Sequence, residues 1–313
     1  MLSATDIRAA HDRIRPFIHR TPVLTSATIS RMAEAEVFMK AECFQKVGAF
    51  KARGALNAVL SLPAADREKG IVAHSSGNHA QGIAYACRTV GIPAYIVMPE
   101  NSPRVKVEAV RGYGAEITFC VNTPEERQRN ADLIVKETGA VFVHPYNDFT
   151  VIAGQATVAK ELIEDVPGRL DFVLCPVGGG GLLSGTALSA HYFSEGTSVI
   201  AGEPEGAADA ILSFQLGKIT KAPYVSTIAD GLLTTLGDKT FAIIQEHVTD
   251  IVTVPDEDIL STMKLVWERM KIVVEPSGVV AMAALLKYAG IFAGKRVGII
   301  LTGGNVDLEK LPF

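Results

Sequence analysis

The sequence has 313 residues, which predicts about two domains at roughly 150 residues per domain. Its 30 lysines and arginines against 34 acidic residues give a formal net charge of −4, which excludes a protein that holds nucleic acid through excess positive charge. Apolar residues make up 48% and charged residues 20%, a balance typical of a globular chain and not of a disordered one.

The cysteines and the longest uncharged stretch indicate the compartment. Cys43, Cys87, Cys120 and Cys175 are scattered and form no C-x-x-C pair, so we expect free thiols in a reducing environment. The first residues are charged and contain no apolar signal core. Residues 172–194 carry no Asp, Glu, Lys or Arg, but the proline and four glycines inside this stretch favour a buried strand, loop and helix over a membrane span. We therefore expect a cytoplasmic protein that does not bind a membrane.

Apolar residues alternate between strand spacing and helix spacing along most of the chain. In chain order the predicted elements are strand 37–39, helix 50–62, strand 70–75, helix 79–90, strand 94–98, helix 103–113, strand 115–121, helix 124–138, strand 140–144, helix 151–165, strand 171–175, helix 183–193, strand 198–201, helix 211–216, helix 277–288 and strand 296–301. This alternation predicts an α/β fold with parallel strands and right-handed crossovers. Ligands of such sheets bind beyond the carboxyl ends of the strands, so the turns at those ends are the candidate sites.

Four consecutive glycines, residues 178–181, follow an apolar strand and open a helix. Their main-chain N–H groups are unobstructed, and the helix N-terminus adds positive potential, so this turn suits a phosphate group. The chain has neither the G-x-G-x-x-G nor the Gly-Lys-Ser/Thr pattern here, which argues against a dinucleotide or a nucleoside triphosphate. The alternative is a tight packing turn.

Lys51 lies in the first predicted turn of a helix, between small and aromatic neighbours. Partial burial and the positive end of the helix both lower the pKa of a lysine in this position. A lowered pKa is what an imine-forming amine needs. The alternative is an ordinary solvated lysine.

Three further turns carry polar groups. Residues 74–82 combine hydroxyls, an amide and free N–H groups at a helix start, which suits a carboxylate, although a capped helix has the same pattern. Thr302 follows the last strand beside two glycines, where a simple turn is the alternative. Glu203 and Asp209, with a main-chain carbonyl between them, suit a hard cation, and a solvated loop is the alternative.

Three motifs, Gly-Ala-Phe-Lys-Ala-Arg-Gly-Ala, Ser-Ser-Gly-Asn-His-Ala-Gln and Gly-Gly-Gly-Gly-Leu, occur in this order. Together they resemble the fold-type II pyridoxal-phosphate enzymes of the serine racemase and serine/threonine dehydratase family, including its 3-hydroxyaspartate dehydratase branch. The resemblance extends from about Ile7 to Asp307. It implies a tryptophan synthase β-like fold with two domains rich in parallel sheet and the active site in the cleft between them. The large domain would comprise residues 1–68 and 148–313, and the small domain residues 69–147.

The resemblance implies a set of contacts with pyridoxal 5′-phosphate. Lys51 would form the imine with the cofactor, and Thr302 would face the pyridine nitrogen, where the family usually has Ser or Cys. Because a hydroxyl is neutral, that nitrogen should stay unprotonated, which favours loss of a β-leaving group over transamination. The remaining expected contacts are Phe50 on the ring, Asn78 on the ring hydroxyl, and Gly178, Gly179, Gly180, Gly181 and Leu182 at the phosphate.

The resemblance also implies substrate and metal contacts. Ser76 matches the acid/base residue that racemases use on the face opposite the lysine. Arg127 matches an arginine that can reach the substrate side chain. The substrate carboxylate would lie in the turn of Ser75, Ser76, Gly77, Asn78 and His79. A divalent cation (Mg²⁺, Mn²⁺ or Ca²⁺) would be held by Glu203, the Ala207 carbonyl and Asp209, away in sequence from the glycine turn.

These matches imply a dehydratase, or ammonia-lyase, that removes water from a β-hydroxy-α-amino acid to give a 2-oxo acid and ammonia. Since Arg127 could pair with a second carboxylate, 3-hydroxyaspartate or serine is favoured over threonine. The alternative activity is that of a racemase or epimerase, an isomerase that uses Lys51 and Ser76 on opposite faces. A β-replacement synthase fits the flanking residues less well, and a non-catalytic amino-acid or nucleotide binding module is the alternative from another class. We expect a homodimer.

Overall fold

The computed structural model describes residues 2–75, 77–102 and 104–311. The strands in this part of the chain are β1 (Val23–Leu24), β2 (Glu36–Ala41), β3 (Ile71–His74), β4 (Ala94–Pro99), β5 (Glu116–Cys120), β6 (Val141–Phe142), β7 (Phe172–Pro176), β8 (Ser198–Pro204), β9 (Asp250–Val254) and β10 (Arg296–Leu301). The helices are α1 (Ala4–Ile14), α2 (Ala27–Met32), α3 (Lys51–Ser61), α4 (Ala64–Arg67), α5 (Asn78–Val90), α6 (Arg104–Gly112), α7 (Pro124–Thr138), α8 (Phe149–Asp165), α9 (Gly181–Phe193), α10 (Asp209–Leu216), α11 (Asp238–His247), α12 (Asp256–Met270), α13 (Pro276–Lys287) and α14 (Ala289–Phe292).

The strands form two sheets. A six-stranded sheet has the order β1-β2-β10-β7-β8-β9, and a four-stranded sheet has the order β5-β4-β3-β6. All the neighbouring strands are parallel except β1, which runs antiparallel to β2. The predicted α/β fold with parallel strands is therefore confirmed. The four-stranded sheet uses residues 71–142, and the six-stranded sheet uses segments on both sides of it in the chain; the domain boundaries at 68/69 and 147/148 stay predictions.

Helix ends with a terminal glycine were the easiest boundaries to predict. Helix α7 has the predicted limits, and Gly139 after it adopts a left-handed conformation with φ 71°. Gly91 ends α5 in the same way, with φ 72°. Glycine tolerates a positive φ and supplies the N–H groups that satisfy the last helical carbonyls, so it stops a helix at a defined residue.

The region from residue 217 to 276 was not predicted. It contains α11, β9 and α12, and β9 forms one edge of the six-stranded sheet. Helix α12 buries Ile259, Met263 and Val266 at helical spacing, so a periodic signal was present in the sequence. The amphipathic start of the chain likewise forms the helix α1, with Ile7 and Ile14 buried.

A buried ion network fixes the helix that begins at Lys51. The Arg53 guanidinium bonds Glu42 (Nε–Oε2 2.7 Å) and Glu161 (Nη2–Oε2 2.8 Å), and Lys40 Nζ lies 2.9 Å from Glu161 Oε2. Lys40 Nζ also lies 3.2 Å from Asp165 Oδ2, so each buried cation is paired, and Arg53, Lys40, Glu42 and Glu161 are almost fully buried. This balance of charge avoids the large cost of an unpaired buried ion and connects α3 to α8 and β2.

The uncharged stretch 172–194 folds as the strand β7, a glycine turn and the helix α9, as predicted. Within the described ranges, no helix combines the length and the apolar character needed to cross a membrane.

Candidate active site

The turns at the strand ends come together. Phe50 N donates a hydrogen bond to Thr302 O (3.0 Å), and Gly304 N donates one to Gly48 O (2.9 Å). From the same turn, Asn305 Nδ2 donates to Asn78 Oδ1 (2.9 Å). The structure therefore brings the lysine turn, the asparagine turn and the end of β10 into one region, although they are far apart in sequence.

Lys51 is the first residue of α3, and its amine has no carboxylate partner among the described ion pairs. Nζ donates to the Pro145 carbonyl oxygen at 3.0 Å and lies 5.1 Å from the centroid of the Phe50 ring. Burial lowers the pKa of Lys51 to about 8. The expected lowering of the pKa is therefore present, with burial as its cause. At a pH near 8 about half of this amine is unprotonated and able to act as a nucleophile or a base.

The glycine turn between β7 and α9 leaves no room for side chains. A Cβ on Gly178 would lie 2.9 Å from Leu232 Cα, and one on Gly179 would lie 2.4 Å from ring carbons of Tyr146. Gly180 has φ 87°, and no side chain caps the start of α9, so its first N–H groups are open to an anion. The Leu182 side chain is buried in the core, so this residue can contact a phosphate only through its main-chain N–H.

These residues fit pyridoxal phosphate. The Lys51 amine at the start of α3 has a pKa lowered by burial, and the cradle has room only for glycine. The end of β10 adds the buried, neutral hydroxyl of Thr302. Thr302 Oγ1 makes only a long contact of 3.5 Å with Ser277 O, so the hydroxyl is available to a further partner. The donor set therefore matches an amine-reactive cofactor with one phosphate group and a neutral ring nitrogen.

Asn78 is held by a residue that the sequence analysis did not select. Its Nδ2 donates to Glu275 Oε1 at 2.6 Å, which leaves its second amide hydrogen for the ring hydroxyl of a cofactor. Burial, and after it the charge of Asp230, raise the pKa of the Glu275 carboxyl to about 7. Lys106 forms an ion pair with Asp230. The sequence contained a signal for Glu275, because it is the one charged residue in the stretch 272–286.

The turn before α5 is only partly described. Ser76 lies outside the described residues. Ser75 Oγ accepts a hydrogen bond from Gly77 N at 3.2 Å. The His79 ring is buried, its Nε2 lies 3.3 Å from Val143 O, and burial holds its pKa well below the usual range. Its main-chain N–H in the first turn of α5 is therefore the part left for a substrate carboxylate.

Arg127 lies half-buried on α7. Its Nε donates to Thr123 O at 3.4 Å, and the ion pairs of the described residues do not include it. Burial, and to a smaller extent the Arg127 charge, lower the pKa of His74, the residue immediately before Ser75. In the described part of the chain this arginine has no carboxylate partner, and Gln128 next to it contacts His74 of the predicted carboxylate turn (Oε1–Nε2 3.3 Å).

A cavity of about 460 Å³ lies between the elements of the two sheets. Ser102 and Lys106 line it from the side of the four-stranded sheet, and Asp230, Glu275 and Asn305 line it from the other side. Asn305 and Glu275 both bond Asn78, so this cavity is next to the predicted cofactor contacts.

The predicted metal ligands Glu203, Ala207 and Asp209 are buried. Glu203 accepts from Ala210 N (2.7 Å) and Ile211 N (2.9 Å), but no cationic side chain pairs with either carboxylate in the described ion pairs. Burial raises the pKa of Glu203 to about 8 and that of Asp209 to about 6. In the described part of the chain, no three His, Cys, Asp or Glu side chains are grouped to hold a metal ion.

The acidic pair is close to the glycine turn in space, although not in sequence. Val177 N donates to Gly202 O at 3.0 Å, which joins the glycine turn to the strand that ends at Glu203. Asp209 accepts from Leu236 N at 3.3 Å, and Leu236 packs against Gly180. A change at Asp209 can therefore reach the phosphate cradle through Leu236.

The two sheets rich in parallel strands, the lysine at a helix start and the glycine cradle define the class as a fold-type II enzyme that binds pyridoxal phosphate. Residues 14–303 match the family model described as pyridoxal-phosphate dependent enzyme, and the chain belongs to this family. The predicted family, and pyridoxal phosphate as its cofactor, are thereby confirmed.

The relatives of this chain include both dehydratases and racemases. The beta-hydroxyaspartate dehydratase of Paracoccus denitrificans is 50% identical over 98% of this chain and 98% of its own length. A serine racemase of Arabidopsis thaliana is 46% identical over 97% of this chain and 93% of its own. The solved structure of maize serine racemase superimposes with a TM-score of 0.96 at 44% identity, covering 98% of this chain and 94% of that one.

Proposed function

We propose that this protein is a pyridoxal-phosphate dehydratase that converts a β-hydroxy-α-amino acid to a 2-oxo acid and ammonia, with 3-hydroxyaspartate favoured over serine and threonine disfavoured. The observation that carries the proposal is the position of the Lys51 amine, whose Nζ donates to Pro145 O at 3.0 Å beside the turns that the structure brings together, and whose pKa is lowered by burial. The similarity to a beta-hydroxyaspartate dehydratase supports it.

Pyridoxal phosphate, when bound, supplies an electron-withdrawing ring that acidifies the Cα–H bond of an attached amino acid. The Lys51 amine would take the Cα proton of the substrate amino acid. The neutral Thr302 hydroxyl would hold the ring nitrogen of the cofactor without protonating it. The β-hydroxyl group leaves as water with a proton from a nearby acid, and the released enamine hydrolyses to the 2-oxo acid and ammonia.

Substrate choice is assigned to the side of the four-stranded sheet. The turn of Ser75, Gly77 and His79 would hold the α-carboxylate through main-chain N–H groups and hydroxyls. Arg127, which has no carboxylate partner in the described ion pairs, would bind the second carboxylate of 3-hydroxyaspartate. Serine and threonine lack that group, so they would leave Arg127 unpaired.

A second candidate function is racemisation or epimerisation of the same amino acids. The similarity to a serine racemase favours it. Lys51 would act on one face of Cα, and Ser76 would return a proton on the other. Dehydration and racemisation can occur in one enzyme because they share the removal of the α-proton.

We further propose that Glu203, the Ala207 carbonyl and Asp209 hold Mg²⁺, Mn²⁺ or Ca²⁺, because two buried carboxylates without a cationic partner suit a hard cation with oxygen ligands. The four free cysteines are in keeping with a reducing cytoplasm. We also propose that the protein is a homodimer.

The test is to incubate the holoenzyme separately with serine, threonine and each isomer of 3-hydroxyaspartate, and to measure both 2-oxo acid formation and the chirality of the remaining amino acid. We expect the highest kcat/KM for 2-oxo acid formation with one isomer of 3-hydroxyaspartate. Inversion without any 2-oxo acid would favour the second function, and a protein that changes none of these amino acids would refute both.

A further inference from the structure

The segment of residues 144–147 runs between Lys51 and the glycine turn. Pro145 O accepts the hydrogen bond from Lys51 Nζ, and the next residue is Tyr146. The sequence analysis gave this segment no role.

The Tyr146 ring forms one wall of the phosphate cradle. A Cβ on Gly179 would lie 2.4 to 2.5 Å from three carbons of this ring, and a Cβ on Gly181 would lie 3.0 Å from Tyr146 Cβ. Two of the four glycines therefore lack a side chain because Tyr146 occupies the space. The ring therefore packs directly against the glycines of the cradle.

Two side chains packed against the cradle glycines carry a hydroxyl group. Among the side chains nearest to the four glycines, only Tyr146 and Thr240 carry one. Thr240 Oγ1 is already engaged, since it donates to Gly179 O (2.9 Å) and accepts from Gly237 N (3.0 Å). The Tyr146 hydroxyl has no hydrogen-bond partner among the described residues, and burial raises the pKa of the phenol, so it stays protonated and able to donate.

The position of the ring is fixed before any ligand binds. His144 Nδ1 accepts hydrogen bonds from Tyr146 N (3.3 Å) and Asn147 N (2.9 Å), and its ring meets the Tyr146 ring edge-on with centroids 4.6 Å apart. On the other side, Asn147 Oδ1 accepts from Lys239 N at 3.0 Å. A donor held in this way loses little conformational entropy when it binds.

We propose that Tyr146 is a further binding residue of this site, whose ring closes the glycine cradle and whose hydroxyl donates a hydrogen bond to an anionic oxygen bound in front of it. That oxygen belongs either to the cofactor phosphate or to the second carboxylate of the substrate. A bond to the cofactor phosphate requires only that the chain belongs to the pyridoxal-phosphate family, whereas a bond to the substrate carboxylate rests on the proposed function.

The test compares Tyr146→Phe, which keeps the ring, with the native enzyme and with Tyr192→Phe as a control. Tyr192 lies at the opposite end of α9 from the cradle and donates to Leu2 O at 2.9 Å. The first arm titrates pyridoxal phosphate into each apoenzyme and follows absorbance and quenching of protein fluorescence. The second arm measures kcat/KM of each holoenzyme for serine and for 3-hydroxyaspartate.

Loss of one hydrogen bond to a charged group corresponds to about a 10- to 150-fold effect. Weaker pyridoxal phosphate binding of this size with an unchanged substrate ratio supports the phosphate as partner. Unchanged cofactor affinity with a selective loss on 3-hydroxyaspartate supports the substrate carboxylate. If Tyr146→Phe matches the control in both arms, the proposal is overturned. Should the enzyme dehydrate neither substrate, the cofactor arm still decides the role of the hydroxyl at the phosphate.

A second variant tests the wall formed by the ring. Tyr146→Ala, with its fold verified by circular dichroism, should bind pyridoxal phosphate more weakly than Tyr146→Phe because the cradle is then open on one side. An affinity equal to that of the native enzyme would contradict the assignment of the ring.

Discussion

The two sides of the cleft are built differently. On the side of the six-stranded sheet, the lysine turn and the end of β10 are joined by main-chain hydrogen bonds such as Phe50 N to Thr302 O (3.0 Å), and the glycine cradle is packed on several faces. On the side of the four-stranded sheet lie the turn before α5 and single side chains such as Arg127, which has no ion-pair partner among the described residues. We propose that the side of the six-stranded sheet, the rigid side, carries chemistry common to all substrates, and that Arg127 on the other side distinguishes one substrate from another.

The largest effect is expected from Lys51→Ala on the rigid side. Loss of the amine should reduce 2-oxo acid formation from every substrate by about 1000-fold or more, because the proton acceptor is removed. Lys46→Ala, in the same turn, is the control and should remain active. Near-native turnover by Lys51→Ala would show that another base performs this step.

Ser76→Ala tests the other face of the substrate. Elimination from the enantiomer whose proton Lys51 removes should persist, whereas racemisation should fall to near the detection limit because no second donor remains. Both rates are measured on the same sample, by 2-oxo acid assay and by chiral chromatography. A parallel fall of the two rates would indicate that Ser76 only positions the substrate.

Arg127→Ala should separate acidic from neutral substrates. A charge-assisted pair is worth about 1.5–3 kcal/mol, so kcat/KM for 3-hydroxyaspartate should fall by about 10- to 150-fold relative to serine. Arg129→Ala is a matched control on the same helix, since Arg129 is exposed and pairs with Glu126 at 2.8 Å. Equal losses on both substrates would remove the reason for preferring the dicarboxylate.

The smallest effect is that of the cation on stability, and it increases with the cation concentration. Binding to the native state stabilises by about 2.7 kcal/mol at a hundredfold excess over Kd. Without cation, Glu203 binds a proton in the native state up to about pH 8 and Asp209 up to about pH 6, above the ordinary carboxyl values of 4.5 and 3.8. The native state then holds more protons than the unfolded state, so the stability of chelated enzyme should fall as pH rises from about 4 to 8.

Thermal melts between pH 5 and 8, with chelator or with added Mg²⁺, Mn²⁺ or Ca²⁺, measure this dependence. The cation should remove most of the pH slope, because it takes the place of the protons. Asp209→Asn should respond little to either addition, and Glu205→Gln, at an exposed position between the two buried carboxylates in the sequence, serves as the control. Native enzyme whose melting temperature ignores chelator and cation at every pH would exclude the site.

The sequence predicted the contiguous parts of the site better than those that depend on packing. The lysine turn, the glycine turn and Thr302 could be selected because each follows from local residue types at a strand end. Glu275 and Tyr146 were not selected, because their importance arises from contacts with residues far away in the chain: Glu275 bonds Asn78, and the Tyr146 ring covers Gly179.

The same limit applies to the fold. The strands and helices between residues 70 and 145 were predicted in their order along the chain and with parallel strands, because each has a clear period and each helix is followed by a glycine. The order of the strands within the sheet was not predicted. The antiparallel strand β1 was missed because two residues carry no period. The nearness of Asp209 to the glycine turn was missed too, since it depends on the pairing of β7 with β8.

The most direct measurement is to reduce the holoenzyme with sodium borohydride, digest it and locate the modified lysine by mass spectrometry. Our account predicts that the mass of the reduced cofactor is found on the peptide containing Lys51, with loss of the absorbance band near 410–420 nm. Cofactor mass on any other lysine, or a protein that retains none, would contradict the central assignment.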